Sequence, residues 1–123
     1  MALIAWRDLH ARRYPELGLL VAIPNGGYRN AREAARLKRM GVRAGVSDYF
    51  LAVPRPPKEP GGCDVICGVW IELKSPKGKL SPAQKQWFIE VERQCYGAVV
   101  CYGWLEAARG ICDYLGLTGS VRP

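Results

Sequence analysis

The stretch "VWIELKSPKGKLSPAQKQW", residues 69–87, sets a carboxylate and an ammonium one residue apart, Glu72 and Lys74, at the end of an apolar run. Residues two apart on a strand point to the same face, so these side chains are neighbours in space. A second acid, Asp48 of "GVSDYFLAV", stands near the start of the preceding apolar run. If the two runs pair antiparallel, the start of one lies beside the end of the other, and Asp48 comes to Glu72. Two carboxylates repel each other unless a cation lies between them. Mg²⁺ is typically held by one or two carboxylates plus water and phosphate oxygens. Such an ion acidifies bound water and neutralises charge on a phosphodiester. A lysine beside it can orient the water or stabilise the developing oxyanion. The chemistry open to these parts is phosphodiester hydrolysis.

Spacing alone does not establish that chemistry. A bare E-x-K on a strand is more often an exposed ion pair worth ~0–1 kcal/mol. Asp48 can equally cap a turn, and Gln84 can do no more than close a capping box. Two features favour the active reading. Glu72 is embedded in apolar residues, and Gln84 shares a helix face with Trp87, Phe88 and Val91, which points it at the sheet.

The elements that position these residues follow from patterning. "MALIAWRDLHARR" is helical from its first residue, with no capping residue before it. "LGLLVAIP" reads as a buried strand closed by Pro24 and "NGG". "NAREAARLKRMG" is a helix opened by an Asn30/Glu33 capping box and stopped by Gly41. Its Arg32, Arg36 and Arg39, with Arg43 beyond and Arg29 before, form a basic stripe without acids on the same line, suited to phosphates. "GVSDYFLAV" is a second strand, "PRPPKEPGGCD" a surface loop, and "VICGVWIELK" a third strand whose apolar continuity makes it central. Ser81, Pro82 and Gln84 open a helix whose inward face is Trp87, Phe88, Val91 and Cys95. "GAVVCY" is a fourth strand and "LEAARGICDYLG" a closing helix. The predicted order α–β–α–β–β–α–β–α is an α/β fold, a mixed four-stranded sheet flanked by helices.

The 123 residues suffice for one domain with its own core, residues 1–123. A formal charge of +7 directs attention to polyanionic partners. No apolar run reaches the ~20 residues of a membrane span, and no leader pattern opens the chain, so the expectation is a cytoplasmic protein. Five cysteines at irregular spacing, without a CxxC pair and with His10 as the single histidine, argue against zinc and are read as reduced thiols. Neither "NGGYRN" nor "SPKGKLS" carries the glycine spacing of a nucleotide-binding loop, so no nucleotide cofactor is expected.

At "IPNGGYRN", "MGVRAGVSDYFLA", "WIELKSPKGKLSPAQKQW" and, more loosely, "CYGAVVCYGWLEAARGICDYL", the chain resembles the VRR-NUC family, a branch of the PD-(D/E)XK nuclease superfamily. The resemblance implies a restriction-endonuclease-like core. Asp48 and Glu72 match the family's metal-binding acids, with the carbonyl of Leu73 as a further ligand, Lys74 the catalytic lysine, and Gln84 the motif glutamine. Lys77 and Lys79 are candidate phosphate contacts, though solvated lysines are as common in such turns. The family cuts DNA with Mg²⁺ or Mn²⁺. Small stand-alone members, often phage-encoded, look like homodimers acting on branched DNA such as four-way (Holliday) junctions, which implies a bacterial or phage-infected host cell. One departure stands out. The family commonly has a further glutamate on its first helix, where this chain offers only Asp8 and Glu16. Either the start lies upstream or the metal site is reduced.

Three functions follow from these residues. The first is a metal-dependent DNA endonuclease, and the second a catalytically weak or silent DNA-binding module on the same scaffold. The third is a basic adaptor for an acidic protein. Nothing resembles a base-reading helix or finger, so recognition by shape and charge is expected. The aromatics Tyr28, Trp104 and Tyr114 are as readily core as interface.

Overall fold

The apolar strand "VWIELK" lies in the middle of the sheet. In a computed structural model, which describes residues 2–24 and 30–123, the order is α1 (Ala2–His10), a 3₁₀ turn (Pro15–Leu19), β1 (Leu20–Ala22), α2 (Ala31–Arg39), β2 (Tyr49–Leu51), β3 (Val69–Lys74), α3 (Pro82–Arg93), β4 (Gly97–Tyr102), α4 (Trp104–Leu115) and a second 3₁₀ turn (Gly119–Val121). The strands lie in the order β1-β2-β3-β4. β1–β2 and β2–β3 are antiparallel and β3–β4 parallel, so the sheet is mixed, as predicted. A parallel neighbour needs a crossover connection, and α3 supplies it.

The two faces of the sheet differ. Val69, Ile71 and Cys101 turn towards α1 and α4, joining Leu3, Leu17, Leu51, Ala108, Ile111 and Cys112 in one buried core. Trp6 closes that core by donating its indole N–H to the Val121 carbonyl at 2.8 Å. The opposite face carries Trp70, stacked on Phe50 at 4.3 Å between centroids and met edge-on by Trp87 of α3 at 5.0 Å. Aromatic pairs at such separations add to simple burial.

Of the two predicted capping boxes, the first is present in its Asn30 half and the second is complete. The Asn30 side chain accepts the Glu33 N–H at 2.8 Å, and Ser81 with Gln84 forms a complete capping box. Gly41 ends the α2 segment with φ +100°.

Three expectations are corrected. "LGLLVAIP" is not a buried strand. Its first half is the 3₁₀ turn, opened by Pro15, and β1 is a three-residue edge strand with Val21 and Ala22 exposed. Cys95 is not on the inward face of α3, because it lies beyond the helix end at φ +65°. The five cysteines are not all thiols, since Cys63 and Cys95 form a disulfide across 32 residues, tying the Pro/Gly-rich loop to the end of α3. Tyr114, as readily core as interface from its sequence, lies against the core. It is half-buried and donates its hydroxyl to the Val53 carbonyl at 2.6 Å. Trp104 also packs on the core, and Tyr28 lies outside the described residues.

Candidate active site

The β2–β3 register pairs Tyr49 with Ile71, so Asp48 comes alongside Glu72, as the antiparallel pairing required. Asp48 is fixed at both ends. Its backbone carbonyl accepts the Ile23 N–H at 2.8 Å, and its carboxylate oxygen Oδ2 accepts the Leu73 N–H at 2.9 Å. Glu72 is only 3% exposed, and its Oε1 has no hydrogen-bond partner among the described residues. Burial, then the hydrogen bond and negative charge of Asp48, push the Glu72 carboxyl up to about 8, against a smaller opposing pull from Lys74. A buried acid in this state either keeps a proton or acquires a cation.

Lys74 completes the cluster from the same face of β3. Its ammonium donates to Gln84 Oε1 at 2.9 Å, and the same oxygen accepts the Ser81 N–H at 2.8 Å. Gln84 therefore serves both as helix cap and as anchor for the lysine. The aliphatic stem of Lys74 is confined by the turn that follows, closed by Gly78 N–H to the Ser75 carbonyl at 2.8 Å. A Cβ on Gly78 would stand 3.1 Å from Lys74 Cβ.

Sequence reasoning missed Gly45, which lies three residues before Asp48. It adopts φ +88°, and a Cβ there would stand 2.5 Å from the backbone C and O of Ala83. The loop that delivers Asp48 thus rests directly on the first turn of α3, immediately before Gln84. The sequence shows a glycine in "RAGVSD" but not the backbone it presses against, 38 residues away (83 − 45).

The predicted site residues divide into two groups. Asp48, Glu72, Lys74 and Gln84 converge at one edge of the sheet, with Leu73 between two of them. Lys77 and Lys79 are exposed in the turn beyond. The arginine stripe is less uniform than expected. Glu33 stands on the line of the stripe and binds Arg36 at 2.7 Å. Arg43 forms a salt bridge with Glu90 at 2.5 Å and lies over the Trp87 ring at 5.1 Å. Arg32 and Arg39 remain exposed, and Arg29 falls outside the described residues.

An oxygen-lined pair with one orphaned buried carboxylate oxygen fits a hard divalent cation. Among the described residues no third His, Cys, Asp or Glu joins the pair. The two first-segment acids are engaged elsewhere, Asp8 with Arg7 at 2.8 Å and Glu16 with Arg55 at 4.0 Å.

Comparison with known proteins places the chain, though not its individual site residues, in a family. The VRR-NUC domain model matches residues 5–104. The chain belongs to the VRR-NUC family. A solved structure described as a VRR_NUC domain protein shares 26% identity and a TM-score of 0.71 with it, over 93% of this chain and 84% of that one. No curated protein matches. Membership of a nuclease-domain family gives this VRR-NUC chain a nuclease-type, DNA-processing function, and the mixed four-stranded sheet flanked by helices is the family's fold. No helix among the described residues is long and apolar enough to cross a membrane.

Proposed function

We propose that this VRR-NUC protein is a Mg²⁺- or Mn²⁺-dependent DNA endonuclease. The observation that carries the reading is buried Glu72 beside half-buried Asp48, with Lys74 on the same strand face and anchored by Gln84. Asp48 and Glu72, with the Leu73 carbonyl, would hold the ion, whose contribution is to polarise the phosphodiester and acidify an attacking water. Lys74 has three N–H donors, of which Gln84 takes one. The other two are available to a phosphate oxygen and to the water, orienting the nucleophile and countering charge as the transition state forms. Gln84 keeps that ammonium aimed. Glu72, buried against the sheet, can pass its proton to solvent when the site is loaded.

The test is cleavage of duplex, flap and four-way-junction DNA with Mg²⁺ and with Mn²⁺. Activity should require the metal, stop with chelator, and vanish in Asp48→Ala and Lys74→Ala while both variants keep the parent circular dichroism spectrum. Full activity in either variant would remove the assignment.

Selectivity for branched DNA, acting as a homodimer, is the finer part of the reading. Two cuts at one junction need two sites, and β4 is an edge strand without a charged side chain. Half-exposed Val99 stands beside an apolar cavity of about 370 Å³ between the sheet, α4 and residues 55–58. Apolar surface of this kind suits association with a second copy. We further propose the cytoplasm of a bacterial or phage-infected cell as the setting, where the Cys63–Cys95 bridge would meet reductants.

One observation favours the alternative, a silent DNA-binding module. The acid pair has no third carboxylate among the described residues. Salt-sensitive DNA binding with no metal-dependent strand breaks would establish that alternative.

A further inference from the structure

Tyr102 lies at the same end of the sheet as the acid–lysine cluster and has no part in it. In the parallel β3–β4 ladder it is the register partner of Lys74, as Val100 is of Glu72. Register partners on neighbouring strands are about 4.8 Å apart and share a face. The other parity, Leu73 and Cys101, turns to the core beneath α4, so Lys74 and Tyr102 both stand on the α3 side. The tyrosine is 49% exposed and makes no ring contact or side-chain hydrogen bond among the described residues.

Its backbone, by contrast, is held firmly. The Tyr102 N–H donates to the Glu106 carboxylate in the first turn of α4. Gly103 then turns the chain away at φ +98°, with no atom within 4 Å of its own Cβ position. A large apolar ring fixed at its root, solvent-facing and one strand spacing from the lysine is a surface on which a base can stack.

We infer that Tyr102 is a substrate-positioning residue that stacks on an unpaired nucleobase next to the phosphate handled by Lys74. This rests on the nuclease reading above and deepens it by naming the substrate class. A base inside a continuous duplex is already stacked on both faces, whereas one at a flap, gap or branch point has a free face. Stacking on an aromatic side chain is tolerant of base identity, in keeping with a chain that has no base-reading element. The selectivity for branched DNA would then have a source within each copy, in addition to any arrangement of two copies.

The experiment uses the full chain and a flap DNA carrying the fluorescent base 2-aminopurine at the unpaired position beside the cut. Binding is followed in Ca²⁺, used in place of Mg²⁺ so that the strands stay intact, and cleavage is followed in Mg²⁺. The parent and Tyr102→Phe should quench the fluorescence on binding. Tyr102→Ala and Tyr102→Leu, the second keeping apolar bulk without a ring, should lose the quench. They should also raise KM for flap DNA about ten-fold to a hundred-fold, with kcat moving far less. Parent-like quench and KM in both ringless variants would overturn the inference while leaving the nuclease reading intact. Absence of cleavage by the parent, with a quench that still depends on the ring, would sink the nuclease reading and leave the stacking surface standing.

Discussion

Glu72 is a side chain whose environment opposes its own charge. Its ordinary value of 4.5 is raised to about 8 by burial and by Asp48. The folded chain therefore keeps this carboxyl neutral through a window in which the unfolded chain ionises it. The cost to stability begins above about pH 4.5, grows as pH rises, and is complete above about 8. Glu72→Gln removes that cost. It should raise the melting temperature at pH 8 by about 4 °C, the equivalent of ~1 kcal/mol for a domain of this size, while abolishing cleavage. A melting curve unchanged from the parent at that pH would contradict the assignment. The same proton competes with metal. Each ion bound below about pH 8 must displace it, so the apparent Mn²⁺ affinity should tighten about tenfold per pH unit between pH 6 and 8. Titration calorimetry in buffers of different ionisation enthalpy would register the released proton.

The elements around the site determine which cations are available to DNA. Arg36 is tied to Glu33, and Arg43 is held by Glu90 and Trp87, so both already serve the fold. Arg32 and Arg39 have no such ties among the described residues. Replacing either by alanine should weaken DNA binding across sequences and flatten the salt dependence by roughly one counterion. Arg43→Ala should instead lower the melting temperature more than it changes the salt slope. A slope that falls most in Arg43→Ala would reverse this ranking. What the sequence made legible at this scale was local or periodic. The Ser81–Gln84 capping box, the alternation that pairs Glu72 with Lys74, and the apolar run of β3 each depend on neighbours a few residues apart. The antiparallel pairing of β2 and β3 followed from one loop. The features that escaped depend on distant chain. Gly45 against Ala83 and Cys63 against Cys95 are contacts that no spacing rule encodes, and β1 is short because Pro15 opens a 3₁₀ turn where hydrophobicity alone promised a strand. The Glu33–Arg36 pair is an i,i+3 neighbour and so within reach of spacing rules, but Glu33 also reads as part of a cap.

Across the whole molecule, the disulfide and the proposed chemistry occupy opposite ends of β3. The bridge lies near Val69, since Cys67 N–H donates to the Cys95 carbonyl and Gly97 pairs with Val69, whereas Lys74 ends the strand roughly 16 Å further on. Reduction of Cys63–Cys95 should therefore cost about 2–4 kcal/mol of folding stability, with the closed loop of 32 residues as its source. It should leave kcat on flap DNA near the oxidised value below the melting range. Denaturant titration and cleavage assays, each with and without dithiothreitol, separate the two effects. Equal loss of stability and turnover would show that the two ends are coupled.

The strand–helix–strand unit at residues 69–102 carries Glu72, Lys74, Gln84 and Tyr102 on contiguous chain, and only Asp48 arrives from before the proline-rich loop. A backbone nick inside that loop would leave each half with one member of the acid pair. Neither half alone could assemble the cradle proposed for the ion, so restored cutting would signal that the two halves had found each other.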